Sequence, residues 1–282
     1  MKFLKKQLRT ILFVLILFTG LGLLAYPSFA NWWNTTLGSH AVANYEQIIE
    51  ETNTEDLEAI RQKAAAYNTD LLTRPDRYHP TPEQSAEYNE LLKVGDSSVM
   101  GSISIPSIKV NLPIYHGTSE DVLAAGAGHL EGTSLPIGGI GTHTVITGHR
   151  GLPSAKLFTD LDQLVEGDYF VLSVLNEKLT YQIDSIRIVL PAELDQLAID
   201  PAKDQATLVT CTPYGINTHR ILITGHRVEN LEEWSLDTEA RVIDEKIVAL
   251  WIGGAIIGVL LIVLLIRTRK PRAKKGESND SL

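Results

Sequence analysis

Short runs of β-branched and aliphatic residues, separated by glycine, proline and asparagine, occupy the chain from Met100 to about residue 228. Such runs, bounded by turn-forming residues, are typical of β-strands. We predict strands at 101–105, 110–115, 144–147, 169–175, 179–190, 207–210 and 220–224. Strands at this spacing indicate a barrel or a sandwich, so this part of the chain is mainly β.

A helical pattern precedes the strands. Between Ser39 and about Leu92 the sequence is rich in Ala, Glu and Gln, and apolar residues recur at steps of three, four and seven: Tyr45, Ile48, Ile49, Leu57, Ile60 and Ala64. This spacing predicts two amphipathic helices, and Thr54 with Glu58 nearby weakly marks the start of the second. Residues 73–82 contain three prolines, which predicts an irregular loop.

The N-terminus carries an uncharged apolar run. Residues 11–25 contain no charged side chain, and four basic residues precede them. Residues 28–30 (Ser-Phe-Ala) have the small-x-small form of a signal-peptidase site. We therefore expect either a cleaved signal peptide or a short membrane anchor.

A second uncharged run, residues 247–266, lies near the C-terminus and is followed by six basic residues. About 20 apolar residues in a helix cross a bilayer core of about 30 Å. The alternative is a buried core helix, which the lack of charge and the basic cluster disfavour. Because the basic residues lie outside both runs, the positive-inside rule places both ends in the cytoplasm and the middle of the chain outside.

The middle of the chain is strongly acidic. Residues 1–26 and 267–282 together carry ten basic and two acidic residues, a net charge of +8. The net charge of the remaining residues is therefore −9 − 8 = −17. Nucleic-acid binding needs clustered Lys and Arg, so we exclude nucleic acid as a partner. An acidic domain attracts basic partners at long range, although its charge can also serve solubility alone. The eight histidines do not cluster at metal-ligand spacings, so no metal site is predicted.

These patterns divide the chain into six parts. They are a signal peptide or short membrane anchor at 1–30, a helical segment at 31–94 with a loop near 73–82, a β-domain at 95–230, a linker at 231–246, a transmembrane helix at 247–266 and a basic cytoplasmic tail at 267–282.

Cys211 is the only cysteine of the chain, and it ends the predicted strand 207–210. A lone cysteine is commonly a small buried hydrophobic residue. In a domain predicted to lie outside the cell, however, an unpaired cysteine calls for another reason, since no intramolecular disulfide can form. We interpret Cys211 as a candidate nucleophile, which needs a base nearby because the thiolate is the reactive form.

The histidines offer two candidates for that base. His40 and His79 lie outside the predicted β-domain. Three others lie in glycine-containing, turn-like contexts where we expect solvent-facing side chains: His116, His129 and His143. The two candidates are His149 and His226, each just past a strand in a repeated motif, Val-Ile-Thr-Gly-His-Arg at 145–150 and Leu-Ile-Thr-Gly-His-Arg at 222–227. The residues alone leave both open.

Arg220 begins a predicted strand nine residues after Cys211. A guanidinium there can donate to a carbonyl oxygen as negative charge develops on it, which acyl transfer requires. The alternative interpretation is a solvated surface arginine.

Residues 207–211 (Thr-Leu-Val-Thr-Cys), followed by Arg220 and preceded by Thr-Gly-His-Arg at 147–150, resemble the sortase transpeptidases of Gram-positive bacteria. The resemblance covers roughly residues 95–227 and implies a closed, sortase-like β-barrel as the catalytic domain. It also implies that His149, 62 residues before the cysteine, is the catalytic histidine and that His226 has a structural role.

The flanking segments resemble those of class C sortases, which polymerise pilins and often carry a lid with an Asp-Pro-aromatic motif. Here Asp76 and Tyr78 keep the acid and the aromatic residue, but Arg77 replaces the proline. The resemblance implies that Asp76 pairs with the active-site arginine or a neighbour, and that Tyr78 covers the thiol until substrate displaces it. The alternative is an ordinary solvated loop.

The resemblance further implies acyl transfer through a thioester. Cys211 would attack the Thr carbonyl of an LPxTG-like sorting signal, Arg220 would stabilise the oxyanion, and His149 would act as general acid and base. A lysine amine of another pilin would then take the acyl group, with no cofactor, at the outer face of the cell membrane. Two alternatives stay open: a housekeeping or accessory sortase that attaches proteins to the peptidoglycan precursor, and a non-catalytic exported binding module.

Overall fold

The structure, a computed structural model, describes residues 2–230, with side chains for residues 11, 12 and 15–230. The predicted linker, transmembrane helix and tail at 231–282 lie outside the described residues. Within them, the helices are α1 (Lys2–Glu51), α2 (Thr54–Leu71), α3 (Pro82–Glu90) and α4 (Glu120–Ala125). One helix in this range, spanning Leu15–Glu51, is long and apolar enough to cross a membrane.

Eight strands in the same range close into a barrel in the order β1-β2-β3-β4-β7-β8-β6-β5. They are β1 (Val99–Ile105), β2 (Val110–His116), β3 (Ala127–His129), β4 (Thr142–Thr147), β5 (Tyr169–Val174), β6 (Glu177–Val189), β7 (Asp204–Thr212) and β8 (His219–Val228). β2 pairs with β3 and β4 pairs with β7 in parallel, whereas the other neighbours are antiparallel. The predicted mainly-β barrel with N-terminal helices is confirmed.

The C-terminal part of α1 packs on the barrel. Val42, Tyr45 and Ile49 are at most 6% exposed. The Tyr45 hydroxyl donates to the carbonyl of Met100 (3.1 Å) and accepts from the amide of Leu175 (2.8 Å). Burial raises the pKa of Tyr45 to about 12, so this hydroxyl stays protonated. α1 is therefore part of the folded domain and more than a tether.

Helices α2 and α3 have well-defined starts. Asn53 caps α2, accepting a hydrogen bond from the amide of Glu55, so this helix begins at Thr54, where the sequence weakly predicted a start. Thr81 and Gln84 form a reciprocal capping box at α3, with a proline in its first turn. The Thr81 cap fixes the C-terminal end of the irregular segment between the two helices.

Two predictions are wrong in detail. Three helical segments replace the two predicted over 39–92, because α1 runs unbroken into this range and α3 follows the proline-rich loop. The histidines expected to face solvent are instead buried or half-buried in strands. His129 and His143 are at most 1% exposed, and Nε2 of His116 donates to the carbonyl of Leu91 (2.7 Å).

One part of the outer barrel surface is covered. Val145 on β4, Val209 on β7 and Leu222 on β8 are at most 8% exposed, although they point away from the barrel interior. The β6–β7 connection covers them with Leu197, and Tyr78 packs on the same cluster. We call the outer surface of β4, β7 and β8 the outer groove.

Candidate active site

Cys211 lies near the end of β7 on the outer groove. Side chains alternate along a strand, and Ala206 and Leu208 are fully buried in the main core. Val209 and Cys211 therefore point to the opposite, outer face. The thiol is partly exposed and forms no disulfide.

Arg220 lies directly across from Cys211. The antiparallel β7–β8 ladder pairs Cys211 with Arg220 and Val209 with Leu222. Directly opposed residues share one face and have Cβ atoms about 5 Å apart. The Arg220 guanidinium donates through Nη1 to the carbonyls of Asn217 (3.2 Å) and His219 (3.0 Å). Among residues 2–230 no carboxylate pairs with it, so its positive charge is not neutralised by an ion pair.

His149 follows β4, the other neighbour of β7. The parallel register pairs Thr147 with Val209. Beyond the end of β4 the chain stays attached to β7, because Gly148 N donates to the Val209 carbonyl (3.1 Å) and Thr210 Oγ1 donates to the Gly148 carbonyl (2.7 Å). Extending the register by two residues brings His149 beside Cys211.

His149, Cys211 and Arg220 therefore form one row across three adjacent strands. Neighbouring strands lie about 4.8 Å apart, so the imidazole and the guanidinium flank the thiol on opposite sides. His226 is not in this row. It lies six residues along β8 from Arg220, or about 20 Å, and its Nδ1 is 3.0 Å from Asp184 Oδ2.

A glycine allows close packing behind His149. A Cβ at Gly148 would lie 2.7 Å from the fully buried ring of Phe158, and Phe158 N donates to the His149 carbonyl (3.1 Å). The Nε2 atom of His149 is buried without a hydrogen bond, and its nearest charged neighbour is Glu120 Oε1 at 3.4 Å. Glu120 is 84% exposed, and such pairs contribute little. Nε2 therefore has no hydrogen bond among the described residues that a reacting group would have to displace.

Arg150 is a site residue that the sequence did not single out. Its Nη1 donates to Thr212 Oγ1 (3.3 Å), its guanidinium pairs with Asp162, and it lies 5.8 Å from the ring centroid of Tyr214. The Arg150 side chain is only 7% exposed. It thus ties the segment after the histidine to the segment after the cysteine. Its position next to His149 in the Thr-Gly-His-Arg motif was the available signal.

A polar chain crosses the same face further along the strands. His143 donates through Nδ1 to the Ala198 carbonyl (2.8 Å) and accepts through Nε2 from Thr207 Oγ1 (2.7 Å). Thr207 Oγ1 in turn lies 2.8 Å from Thr224 Oγ1. Burial lowers the pKa of His143, which the Ala198 hydrogen bond partly opposes, so the imidazole is neutral. This chain links β4, β7 and β8 and keeps the row in register.

The loop at 73–82 lies over the outer groove. Tyr78 packs against the groove cluster, and its hydroxyl is 3.3 Å from the Leu197 carbonyl. Arg77 donates through Nη2 to Leu197 O (2.8 Å) and to the Tyr78 hydroxyl (2.7 Å), and its guanidinium lies 4.7 Å from the Tyr78 ring centroid. Gly132 lets the loop approach the barrel, because a Cβ there would lie 2.1 Å from the Arg77 carbonyl. Burial raises the pKa of Tyr78.

Asp76 lies at the exposed side of this loop. Its Oδ1 is 2.7 Å from His79 Nδ1, and the two side chains are 72% and 79% exposed. No ion pair joins Asp76 to Arg220 within the described part of the chain. The structure thus brings Tyr78, but not Asp76, to the outer groove. In residues 2–230 no three His, Cys, Asp or Glu side chains are grouped so as to hold a metal ion.

Comparison with known proteins identifies the family. A family model described as the sortase domain matches residues 103–228. Sortase A of Streptococcus agalactiae serotype III is 32% identical over 145 residues, covering 50% of this chain and 58% of the relative. Sortase D of Bacillus subtilis is 30% identical over 131 residues, covering 45% of this chain and 63% of the relative. The match thus spans about three-fifths of the length of these curated relatives.

Solved structures match over a longer range. Sortase C1 from Streptococcus agalactiae has a TM-score of 0.66 and 49% identity, covering 68% of this chain and 100% of that one. Sortase C of Streptococcus pneumoniae has a TM-score of 0.62 and 42% identity, covering 68% of this chain and 97% of that one. The chain therefore belongs to the sortase family and resembles its class C members.

Proposed function

We propose that this protein is a cysteine transpeptidase that cleaves an LPxTG-like sorting signal and transfers the acyl group to an amine. The observation that carries the proposal is the row formed by His149 just past β4, Cys211 on β7 and Arg220 on β8. Sortase-domain membership and the class C neighbours support it. A related solved structure, sortase C of Clostridium perfringens, is described with a C-terminal cell wall sorting motif, which supports this substrate class.

The reaction begins with attack of the Cys211 thiolate on the Thr carbonyl carbon of the sorting signal. The carbonyl oxygen becomes an oxyanion, which the Arg220 guanidinium stabilises by charge-assisted hydrogen bonds. The Thr–Gly bond then breaks, and His149 protonates the leaving glycine amine. The product of this half-reaction is a thioester between Cys211 and the Thr carbonyl.

An amine completes the reaction. His149 accepts a proton from the attacking amine, the new amide bond forms at the Thr carbonyl, and the Cys211 thiolate leaves. No nucleotide is consumed, because one amide bond replaces another. We propose that the amine is a lysine side chain of another pilin, in line with the class C neighbours. The acidic middle of the chain favours a basic acceptor.

The loop at 73–82 acts as a lid in this proposal. Tyr78 and Arg77 cover the outer groove, whereas Asp76 pairs with His79 on the exposed side of the loop. A sorting signal that lies along β4, β7 and β8 must displace Tyr78 to extend over the groove. The lid thereby limits access of water and unrelated peptides to the thiol.

We propose that the catalytic domain lies outside the cell membrane. The apolar part of α1 supports an N-terminal anchor, and residues 247–266 are proposed to span the membrane with residues 267–282 in the cytoplasm. Tethering raises the local concentration of membrane-held substrates.

The test is mass spectrometry of the protein after incubation with LPxTG-containing peptides. We expect Cys211 to gain the mass of the peptide up to its Thr less one water, and we expect no gain in Cys211→Ala. His149→Ala and Arg220→Ala should each lower kcat/KM by roughly 10²-fold or more. His226→Ala is the matched control, and it should stay within about twofold of the unsubstituted protein because this histidine lies outside the row.

The acceptor is tested by adding a purified pilin to the same reaction. A ladder of covalent multimers supports pilin polymerisation. Consumption of a wall-precursor amine without a ladder supports the housekeeping or accessory alternative. If no sorting peptide acylates Cys211, and alkylation of Cys211 leaves the cellular phenotype unchanged, a non-catalytic binding module replaces the proposal.

A further inference from the structure

Two asparagines of α1 contact the loop that follows the candidate catalytic histidine. Asn31 Oδ1 accepts from the backbone amide of Lys156 (2.7 Å), and Asn34 Nδ2 donates to the carbonyl of Ser154 (2.8 Å). The asparagines are three residues apart, so they lie on one face of the helix. These contacts join segments more than a hundred residues apart in the chain.

The contacted loop, residues 150–157, is closed at its base by His149 itself. Phe158 N donates to the His149 carbonyl (3.1 Å), and a β-bridge joins Leu152 to Ala155 inside the loop. Because both ends of the loop meet at His149, a displacement of the loop is transmitted to the histidine backbone. The hydrogen bonds of Asn31 and Asn34 to this loop therefore help to position the imidazole of His149.

The other part of α1 is fixed to the barrel. Val42, Tyr45 and Ile49 pack in or on the core, and the Tyr45 hydroxyl is hydrogen-bonded on both sides. The C-terminal part of α1 is thus fixed to the barrel, and the rest of the helix extends from there to the histidine loop.

An aromatic cluster lies on α1 close to Asn31 and Asn34. Phe29, Trp32 and Trp33 have ring centroids 5.7–6.5 Å apart. The helix before them is apolar and exposed, and Trp residues collect at the membrane–water interface. From Phe29 to Asn34 the helix rises only about 7 Å, at 1.5 Å per residue. The histidine loop therefore lies next to the expected level of the lipid headgroups.

We propose that α1 is a retained membrane anchor that holds the histidine loop at the lipid surface, with Asn31 and Asn34 as positioning residues. The inference rests on the proposed function, and it restricts the substrate to a sorting signal presented at the headgroup level of a bilayer. α1 runs through residues 28–30 as continuous helix, so cleavage after Ala30 would sever the anchor directly before Asn31.

The two asparagines have opposite hydrogen-bonding roles, which provides isosteric variants with opposite expected results. Asn31 accepts, so Asn31→Asp keeps its contact. Asn34 donates, so Asn34→Asp places a carboxylate against the Ser154 carbonyl and loses the contact. Asn44→Asp is the matched control, because Asn44 is exposed on the same helix.

The experiment uses the full chain, with an N-terminal epitope tag, in phosphatidylglycerol vesicles, and measures the acylation rate of Cys211 by a sorting peptide. We expect Asn34→Asp to acylate roughly tenfold more slowly with an unchanged unfolding midpoint, since small misplacement of a catalytic group has effects of this size. Asn31→Asp and Asn44→Asp should stay within about twofold. The tag should remain on the chain after membrane export.

A second measurement follows the loop without catalysis. In Cys211→Ala protein, a nitroxide is attached through Lys156→Cys, and its mobility and depth are measured by EPR. We expect headgroup depth, and greater mobility when Asn34→Asp is added. Lys203→Cys is the control label, since Lys203 lies beside the start of β7, about 26 Å along the strand from Cys211.

The results separate the inference from the proposed function. Loss of the tag, an unchanged acylation rate in Asn34→Asp, or a label at Lys156→Cys far from the lipid would each overturn the inference. If the unsubstituted protein forms no thioester, the proposed function fails, and the depth and mobility of the label still decide whether α1 holds the loop at the membrane.

Discussion

Arg77 stands at the position where the class C resemblance leads one to expect a proline, and it makes contacts that a proline cannot. Its guanidinium donates to the Leu197 carbonyl and the Tyr78 hydroxyl and lies over the Tyr78 ring. In the proposed lid, these hydrogen bonds to the β6–β7 connection therefore take the place of the backbone restriction that a proline would supply.

We predict that Tyr78→Ala and Arg77→Ala each raise the alkylation rate of Cys211 by about fivefold, since each removes interactions of about 1 kcal/mol that hold the lid closed. The rate is followed with a thiol reagent under pseudo-first-order conditions. Asp76→Ala is the control within the same loop, and its rate should change less than twofold because its partner His79 is exposed. Equal rates in all four proteins would show that residues 73–82 do not guard the thiol.

At the scale of elements, one buried hydroxyl contributes to holding α1 on the barrel. The Tyr45 side chain is 2% exposed, and its hydroxyl bridges β1 and the turn after β5. Removing it leaves the Met100 carbonyl and the Leu175 amide buried without this partner.

We therefore predict that Tyr45→Phe lowers the free energy of unfolding by about 1–3 kcal/mol. Urea denaturation of the full chain measures this change. Tyr115→Phe serves as the comparison, because no hydrogen bond of the Tyr115 hydroxyl is recorded among residues 2–230, and it should cost less than about 0.5 kcal/mol. Similar losses in the two variants would mean that the bridge does not stabilise the α1 contact.

The sequence predicted the longer elements well and the short ones poorly. The run at 110–115 corresponds to β2, because its β-branched residues fit a half-buried strand. β3 was missed because it has only three residues and contains Gly128, which gives no alternating pattern. Its histidine, His129, was consequently expected in solvent. Tertiary pairing with β2 and β4 makes it a strand.

At the scale of the whole molecule, burial of neutral histidines makes stability depend on pH. Burial lowers the pKa of His129 to about 4, and lowers those of His116 and His143 as well. Between about pH 6.5 and 4 the unfolded chain binds more protons at His129 than the folded one. This contribution to stability is present above pH 6.5 and is lost as the pH falls, by about 1.4 kcal/mol per unit and about 3 kcal/mol in total.

We predict that the urea midpoint falls between pH 7.5 and 5, and that His129→Gln has a lower midpoint at pH 7.5 but a shallower dependence on pH. The urea midpoint of His79→Gln should depend on pH as strongly as that of the unsubstituted protein, because His79 is exposed. A slope unchanged by His129→Gln would contradict the assignment of the pH dependence to this buried imidazole.

The site was predictable only in part. The motif around Cys211 indicated a candidate nucleophile, but the choice between His149 and His226 needed either a family resemblance or the register of β4 on β7. The contact of Tyr78 with Leu197 joins residues 119 apart, and no local pattern contains such a contact. The Asn34–Ser154 contact escaped prediction for the same reason.

The position of β7 between β4 and β8 has a consequence for maturation. β4 and β7 are neighbours in space but are separated in sequence by the hairpin of β5 and β6, so their parallel pairing is non-local. Such non-local pairings form late in folding. We therefore expect Cys211 to lack His149 beside it until the step that completes the native topology.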